Sequence, residues 1–170
     1  MKRIFLITTI AVAVMAVTSC NKYDGYALSE AVRHNSEIMP PKSVADMMPA
    51  DKLQIPDGAR DVEWEREGPY WVLNYDLGRG VDKKEVEVYF DTDGSWVMTR
   101  TDLHINDVPQ YIKNYISSSS EYAGARISDR DAEYVETPDG NSYFLELMID
   151  RFEVDVEVTE DGVITERHER

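Results

Sequence analysis

One segment of the chain is written twice, and this constrains the fold more than any other feature. Residues 85–100 read EVEVYFDTDGSWVMTR and residues 152–167 read FEVDVEVTEDGVITER. A shift of 68 positions carries Val86 to Val154, Val88 to Val156, Phe90 to Val158 and Asp93-Gly94 to Asp161-Gly162. Acidic and apolar residues alternate in both copies, the period-two signature of a strand with one buried face. Each Asp-Gly pair stands where a tight hairpin needs a residue tolerant of positive φ. Pro138-Asp139-Gly140 marks another turn of this kind. Successive short turns require antiparallel neighbours, because a parallel pair needs a long crossover.

Further matches extend the doubling. Val62-Glu63-Trp64 aligns with Ala132-Glu133-Tyr134, and Pro41 with Pro109. The spacing predicts two repeats, 40–102 and 108–170, joined by a linker at 103–107. Each opens with a short amphipathic helix, built on Val44, Met47 and Met48 in the first and on Val108, Tyr111, Ile112, Tyr115 and Ile116 in the second. Four strands follow, near 60–66, 69–77, 83–91 and 95–101, then near 127–136, 142–149, 151–159 and 162–167. The expected class is α+β: two tandem repeats, each a short helix packed on a four-stranded antiparallel sheet.

The first forty residues read differently. Lys2 and Arg3 precede an apolar run from Ile4 to Val17, too short to span a bilayer comfortably but suited to the core of an export signal. The run ends at Val17-Thr18-Ser19-Cys20, and Cys20 is the only cysteine of the chain. A small residue followed by Cys at this junction resembles the lipobox of bacterial lipoproteins, although Thr18 departs from the usual Leu-Ala-Gly type. The resemblance implies a signal peptide over 1–19, lipidation of Cys20 and a tether over 20–39. Acyl chains on Cys20 would anchor the protein to an envelope membrane that it does not span.

Composition excludes several classes. With 33 acidic and 18 basic residues among 170, the net charge is −15. Nucleic acid is excluded as a partner, since phosphate binding relies on Lys and Arg. One cysteine precludes a disulfide framework or a Cys-rich zinc site. Ten Tyr and three Trp argue for a folded chain rather than an acidic tail. No catalytic motif is present: His34, His104 and His168 are unpaired with any Ser or Asp motif, and Ser117 to Ser120 read as a polar loop. The expectation is a protein that is not an enzyme and needs no cofactor. Asp91 and Asp93 are weak candidates for Ca²⁺, lacking the spacing of a calcium loop.

The pattern VEWE, then Tyr70-x-Val72, then EVYFDTDGSW at 87–96, then a Pro-led helix, resembles the PepSY-like, β-lactamase-inhibitor-protein-like lipoproteins of Gram-negative bacteria. The resemblance covers about residues 40–167. It implies tandem helix-plus-four-strand units with a concave sheet surface, and a place in the cell envelope, on the periplasmic or surface face of the outer membrane. Related PepSY modules are linked to restraint of peptidases. Asn74, standing where the second repeat has Leu147, departs from the pattern.

If Val86, Val88, Phe90 and their counterparts face the helices, Glu85, Glu87, Tyr89, Glu153, Asp155 and Glu157 face away. Glu63, Glu65 and Glu133 join them. Matching Tyr70 and Val72 to Tyr143 and Leu145 places Phe144 and Glu146 outward, with Trp71, Leu73 and Tyr75 outward too. A register shifted by one would instead bury Trp71, Leu73 and Tyr75, and Asn74 at a core position argues for that shift. An acidic sheet interleaved with aromatic rings fits another exported protein, a peptidase or similar, with a basic or mixed surface. The alternative is a periplasmic carrier or sensor of a small cationic ligand or Ca²⁺.

Overall fold

The computed structural model describes residues 38–167, with backbone only at 129–131. Eight antiparallel strands form a single sheet whose spatial order is the chain order. They are β1 (Arg60–Glu67), β2 (Tyr70–Leu77), β3 (Lys84–Phe90), β4 (Trp96–Leu103), β5 (Arg126–Thr137), β6 (Gly140–Ile149), β7 (Phe152–Thr159) and β8 (Ile164–Glu166). Among the described residues two α-helices accompany them, α1 (Lys42–Ala45) and α2 (Gln110–Ser118). The expected pair of four-stranded sheets is one continuous sheet: β4 pairs with β5 from Thr99↔Glu136 to Leu103↔Ala132.

Both helices follow a proline at the N-cap, Pro41 and Pro109, whose fixed φ suits helix entry. α2 buries Ile112 and Ile116, one helical turn apart, along one stripe. α1 is shorter than expected. Met48 precedes Pro49, which disfavours helical backbone at that position, so the helix ends before Met47 and Met48. Met48 is still buried, whereas Met47 is exposed. Ser117 and Ser118 belong to α2 rather than to a loop. Ser119 caps its end, its hydroxyl accepting from the Glu121 and Tyr122 amides.

Paired residues point to the same side of a sheet, so the register traces each face from strand to strand. One face runs Tyr75, Val86, Thr101, Tyr134, Tyr143, Val158 and carries both helices. Met48, Trp64, Leu73, Tyr75, Val86, Val88 and Phe90 form one core cluster on it. A second gathers Val108, Ile112, Ile116 and Tyr122 over Leu145, Leu147, Val156 and Val158. Two turn glycines bring helices and hairpins into contact. Gly94 (φ +85°) would place a Cβ 2.6 Å from the Val44 carbonyl oxygen, and Gly162 (φ +89°) would place one 2.8 Å from the Tyr115 ring. The positive φ expected at each Asp-Gly pair falls on the glycine, and the helix uses the space that the missing side chain leaves.

Strand β2 requires a correction. Trp71 pairs with Phe90, Leu73 with Val88 and Tyr75 with Val86, all on the core face. Leu73 and Tyr75 are buried there, and Trp71 packs at the cluster's rim beneath the Arg66 guanidinium, 4.5 Å from its centroid. These three rings and chains are core, not an outward surface. The outward residues of β2 are Tyr70, Val72, Asn74 and Asp76. The physical reason is parity: an error of one residue exchanges the two faces of a strand. The connection 78–83 is longer than the two-residue turn at 150–151, so β2 and β6 do not share the offset that relates β3 to β7.

Candidate functional site

The face opposite the helices runs from Asn74 through Glu87, Arg100 and Val135 to Ser142 and Thr159. Its neighbouring row is Asp102, Glu133, Phe144, Glu157 and Thr165. Glu85, Glu87, Tyr89, Phe144, Glu146, Glu153, Asp155 and Glu157 thus all stand on the face where alternation put them. Glu85, Glu153 and Asp155 are exposed, while Glu87, Phe144, Glu146 and Glu157 are half-buried. Tyr89 is only 2% exposed, so it lies beneath this surface rather than projecting from it.

At the centre stands a cation that the acidic pattern did not announce. Arg100 projects from β4 and meets Glu133 of β5 through two bonds, Nε to Oε2 at 3.1 Å and Nη2 to Oε1 at 2.5 Å. Its Nη1 lies 3.5 Å from Glu87 Oε2 and from the Tyr89 hydroxyl. The Tyr89 hydroxyl donates to Glu87 Oε2 at 3.1 Å, and the Tyr70 ring meets Tyr89 edge-on, centroids 6.1 Å apart.

These contacts set the electrostatics. Burial pushes the Glu87 carboxyl above its ordinary pKa; Tyr89 and Arg100 pull it back only in part, against the charges of Glu67 and Glu85. Burial raises the Tyr89 phenol as well, with the carboxylates of Glu67 and Glu87 adding to the effect. Burial alone would lower the Arg100 guanidinium, but the hydrogen bond and charge of Glu133, with Tyr89, more than offset it and hold Arg100 firmly charged. The centre is a closed cluster of one guanidinium and two carboxylates, and the carboxylates that remain exposed on this face include Glu85 on β3 and Glu153 and Asp155 on β7.

A second cation sits there. Arg167, just past β8, lays its guanidinium over the Phe144 ring, 3.9 Å from the centroid. Glu133, Glu146 and Asp155 border the small cavity beside it, about 60 Å³ in volume. Alternation across the Asp93-Gly94 hairpin gives Arg100 the parity of Glu87, so its place was readable from sequence. Arg167 ended the strand expected over 162–167, which stops at Glu166, and no spacing in that strand pointed to Phe144.

Asp91 is occupied otherwise than as a metal ligand: its Oδ1 accepts from the amides of Asp93 and Ser95, each at 2.9 Å, and shapes the β3–β4 hairpin. Thr159 does the same for β7–β8, accepting from the Val163 amide at 3.0 Å. Among the described residues no group of three His, Cys, Asp or Glu side chains could hold a metal ion. His104 Nδ1 accepts from the Asn106 amide at 3.3 Å and caps a short 3-10 turn at Ile105–Asp107. Cys20, the apolar run before it, the tether up to residue 37, His34 and His168 lie outside the described residues.

An antiparallel sheet with helices on one face and an acidic, ring-bearing opposite face defines the class to which the sequence matches. The family described as beta-lactamase-inhibitor-like, PepSY-like matches residues 78–166, just over half of the 170-residue chain, and the chain belongs to it. A BLIP-like protein from Bacteroides fragilis shares its fold with 26% identity and a TM-score of 0.57, over 78% of this chain and 88% of that one. A DUF2874 family protein from Bacteroides ovatus aligns with 22% identity and a TM-score of 0.58, over 76% of this chain and 89% of that one. A protein from Bacteroides eggerthii, described as a candidate periplasmic protein, aligns with 18% identity and a TM-score of 0.56, over 76% and 89%. No curated protein matches the chain. The family is inhibitor-like rather than catalytic in character.

Proposed function

We propose that this is a non-catalytic envelope protein that binds, and restrains, another exported protein through the outer face of its sheet. The carrying observation is the division of charge on that face: Arg100 is closed off by Glu87 and Glu133, while Asp155 stands exposed on β7 near the Phe144 ring and Glu153 stands exposed further along the same strand. Open carboxylates steer a basic or mixed partner surface toward the face and repel acidic ones, and a ring supplies the anchor. The inhibitor-like family and the fold shared with a BLIP-like protein support a binding role over a catalytic one. A fold relative described as a candidate periplasmic protein supports export. The lipobox-like end of the apolar run at Cys20 supports a lipid anchor in the Gram-negative envelope. On this reading the two halves, 40–102 and 108–170, are copies of one helix-plus-four-strand unit fused into one sheet.

The test is affinity capture from an envelope extract on immobilised protein, beside a Glu85→Lys, Glu153→Lys variant that alters only exposed side chains. The expected result is a protein retained by the parent, weakened at high salt, lost from the variant, and able to rebind once purified. Equal retention by parent and variant, or none by either, would overturn the reading.

A further inference from the structure

We infer that the Phe144 slot is a guanidinium receptor, which Arg167 fills within the chain and an arginine of the partner takes over on binding. The inference rests on the outer-face reading and names the group that the face recognises.

Three observations carry it. The slot already holds the group in question: the Arg167 guanidinium lies over the Phe144 ring, 3.9 Å from its centroid, where the ring's negative face attracts a cation. Among the described residues no ion pair ties Arg167 to Glu146 or Asp155, so the site's own carboxylates are left uncommitted by the resident cation. Glu133 is already spent on Arg100, and Glu146 and Asp155 remain to receive a second fork of N–H donors.

The anchoring of Arg167 divides main chain from side chain. Its amide donates to the Asp155 carbonyl at 2.8 Å, continuing the β7–β8 pairing, and Arg167 remains exposed as a residue. The side chain can therefore leave the ring without any strand unpairing. The cavity beside Arg167 and Phe144, about 60 Å³, is bordered by Glu133, Glu146 and Asp155, so a guanidinium on the ring has carboxylates in the same recess. Planarity, stacking and forked donors together select arginine over lysine, whose compact ammonium cannot combine them. The resident arginine then acts as a threshold: weak, nonspecific cations fail to displace it, and a partner must supply a better-placed guanidinium.

The test titrates the full chain with an acetylated Gly-Arg-Gly-Arg-Gly amide, its lysine counterpart and its citrulline counterpart. Binding is read by NMR at the Phe144 amide and the Arg167 Nε–H. The arginine peptide should bind and shift the Arg167 signal away from its ring-shielded position, with lysine weaker and citrulline silent. Arg167→Ala keeps the backbone bond and should bind the arginine peptide about two- to fivefold more tightly, the fold-change matching loss of one exposed cation–ring contact. Phe144→Leu should abolish the preference for arginine over lysine, with an unchanged melting temperature confirming its fold. Equal binding of arginine and lysine peptides, or an Arg167→Ala affinity equal to the parent's, would overturn the receptor. If no peptide binds while partner capture still depends on Glu85 and Glu153, the receptor fails and the binding-face reading stands. If capture fails as well, both fall.

Discussion

Arg100 on β4 grips Glu133 on β5 with two parallel bonds, at 3.1 and 2.5 Å, across the seam where the two halves of the sheet meet. Each side chain is about one-quarter to one-third exposed, at 34% and 24%, so the pair is partly desolvated and screened less than a surface bridge. Removing one partner strands the other's charge in that environment. Glu133→Gln should lower stability by about 1–3 kcal/mol, read from the urea midpoint at unchanged m. A cycle with Arg100→Met should give a coupling of at least about 0.5 kcal/mol. Additive single effects would mean that the pair is not a clamp.

The register of β2 predicts a contrast. Leu73→Ala removes a side chain only 1% exposed in the core and should cost about 2–5 kcal/mol. Phe144→Ala, half-buried on the outer face, should cost no more than about 1.5 kcal/mol. Urea melts of both variants decide it, and the opposite ranking would restore an outward Leu73.

Three glycines separate strain from crowding. All have positive φ, but a Cβ at Gly58 meets nothing within 4 Å, at Gly162 a ring at 2.8 Å, and at Gly94 a backbone carbonyl at 2.6 Å. Gly58→Ala should cost about 1 kcal/mol from backbone conformation alone. Gly162→Ala should cost somewhat more, because Tyr115 is partly exposed and can turn aside. Gly94→Ala should cost roughly 2–4 kcal/mol, since the Val44 carbonyl cannot. Thermal melts in that order would tie α1 to the β3–β4 turn.

Alkaline pH should unfold the chain through its phenols. Burial, with the hydrogen bond to Glu166, pushes Tyr122 up to about 12 from an ordinary 10. The unfolded chain therefore loses this proton first. Stability is fully present below pH 10 and declines as pH rises toward 12. Tyr122→Phe should remove part of that decline, about 1–3 kcal/mol across the window. Urea melts from pH 8 to pH 11.5 measure it, and a variant with the parent's slope would assign the loss to other groups.

Much of this architecture was legible because alternation and turns are local. Val86, Val88 and Phe90 declared their face, the Asp-Gly pairs declared their hairpins, and the outward set from Glu85 to Glu157 followed from parity. What failed was nonlocal. The face of β2 depended on how many residues the 78–83 connection absorbs, and only Asn74 hinted at it. The Met47 position was misread because a single proline two residues on outweighed helical spacing. The joining of the halves needed β5 to find β4 across an entire helix, which no local period encodes. Arg100 was visible in parity but passed over in a face expected to be acidic, and Arg167 reaches Phe144 only through the fold.

Because strand order is chain order, almost every pairing closes over a short connection: 68–69, 78–83, 91–95, 138–139, 150–151 and 160–163. Only β4 and β5 must meet across 104–125. Closing a longer loop costs more chain entropy, and each half has its own apolar cluster to stabilise it beforehand. The halves should thus zip separately and dock late. Kinetically, Glu133→Gln should then hasten unfolding and leave the folding rate nearly untouched, a φ-value near zero in stopped-flow measurements, whereas a slowed folding limb would place the seam in the nucleus. For most of its folding time such a chain is two small sheets in search of a common edge.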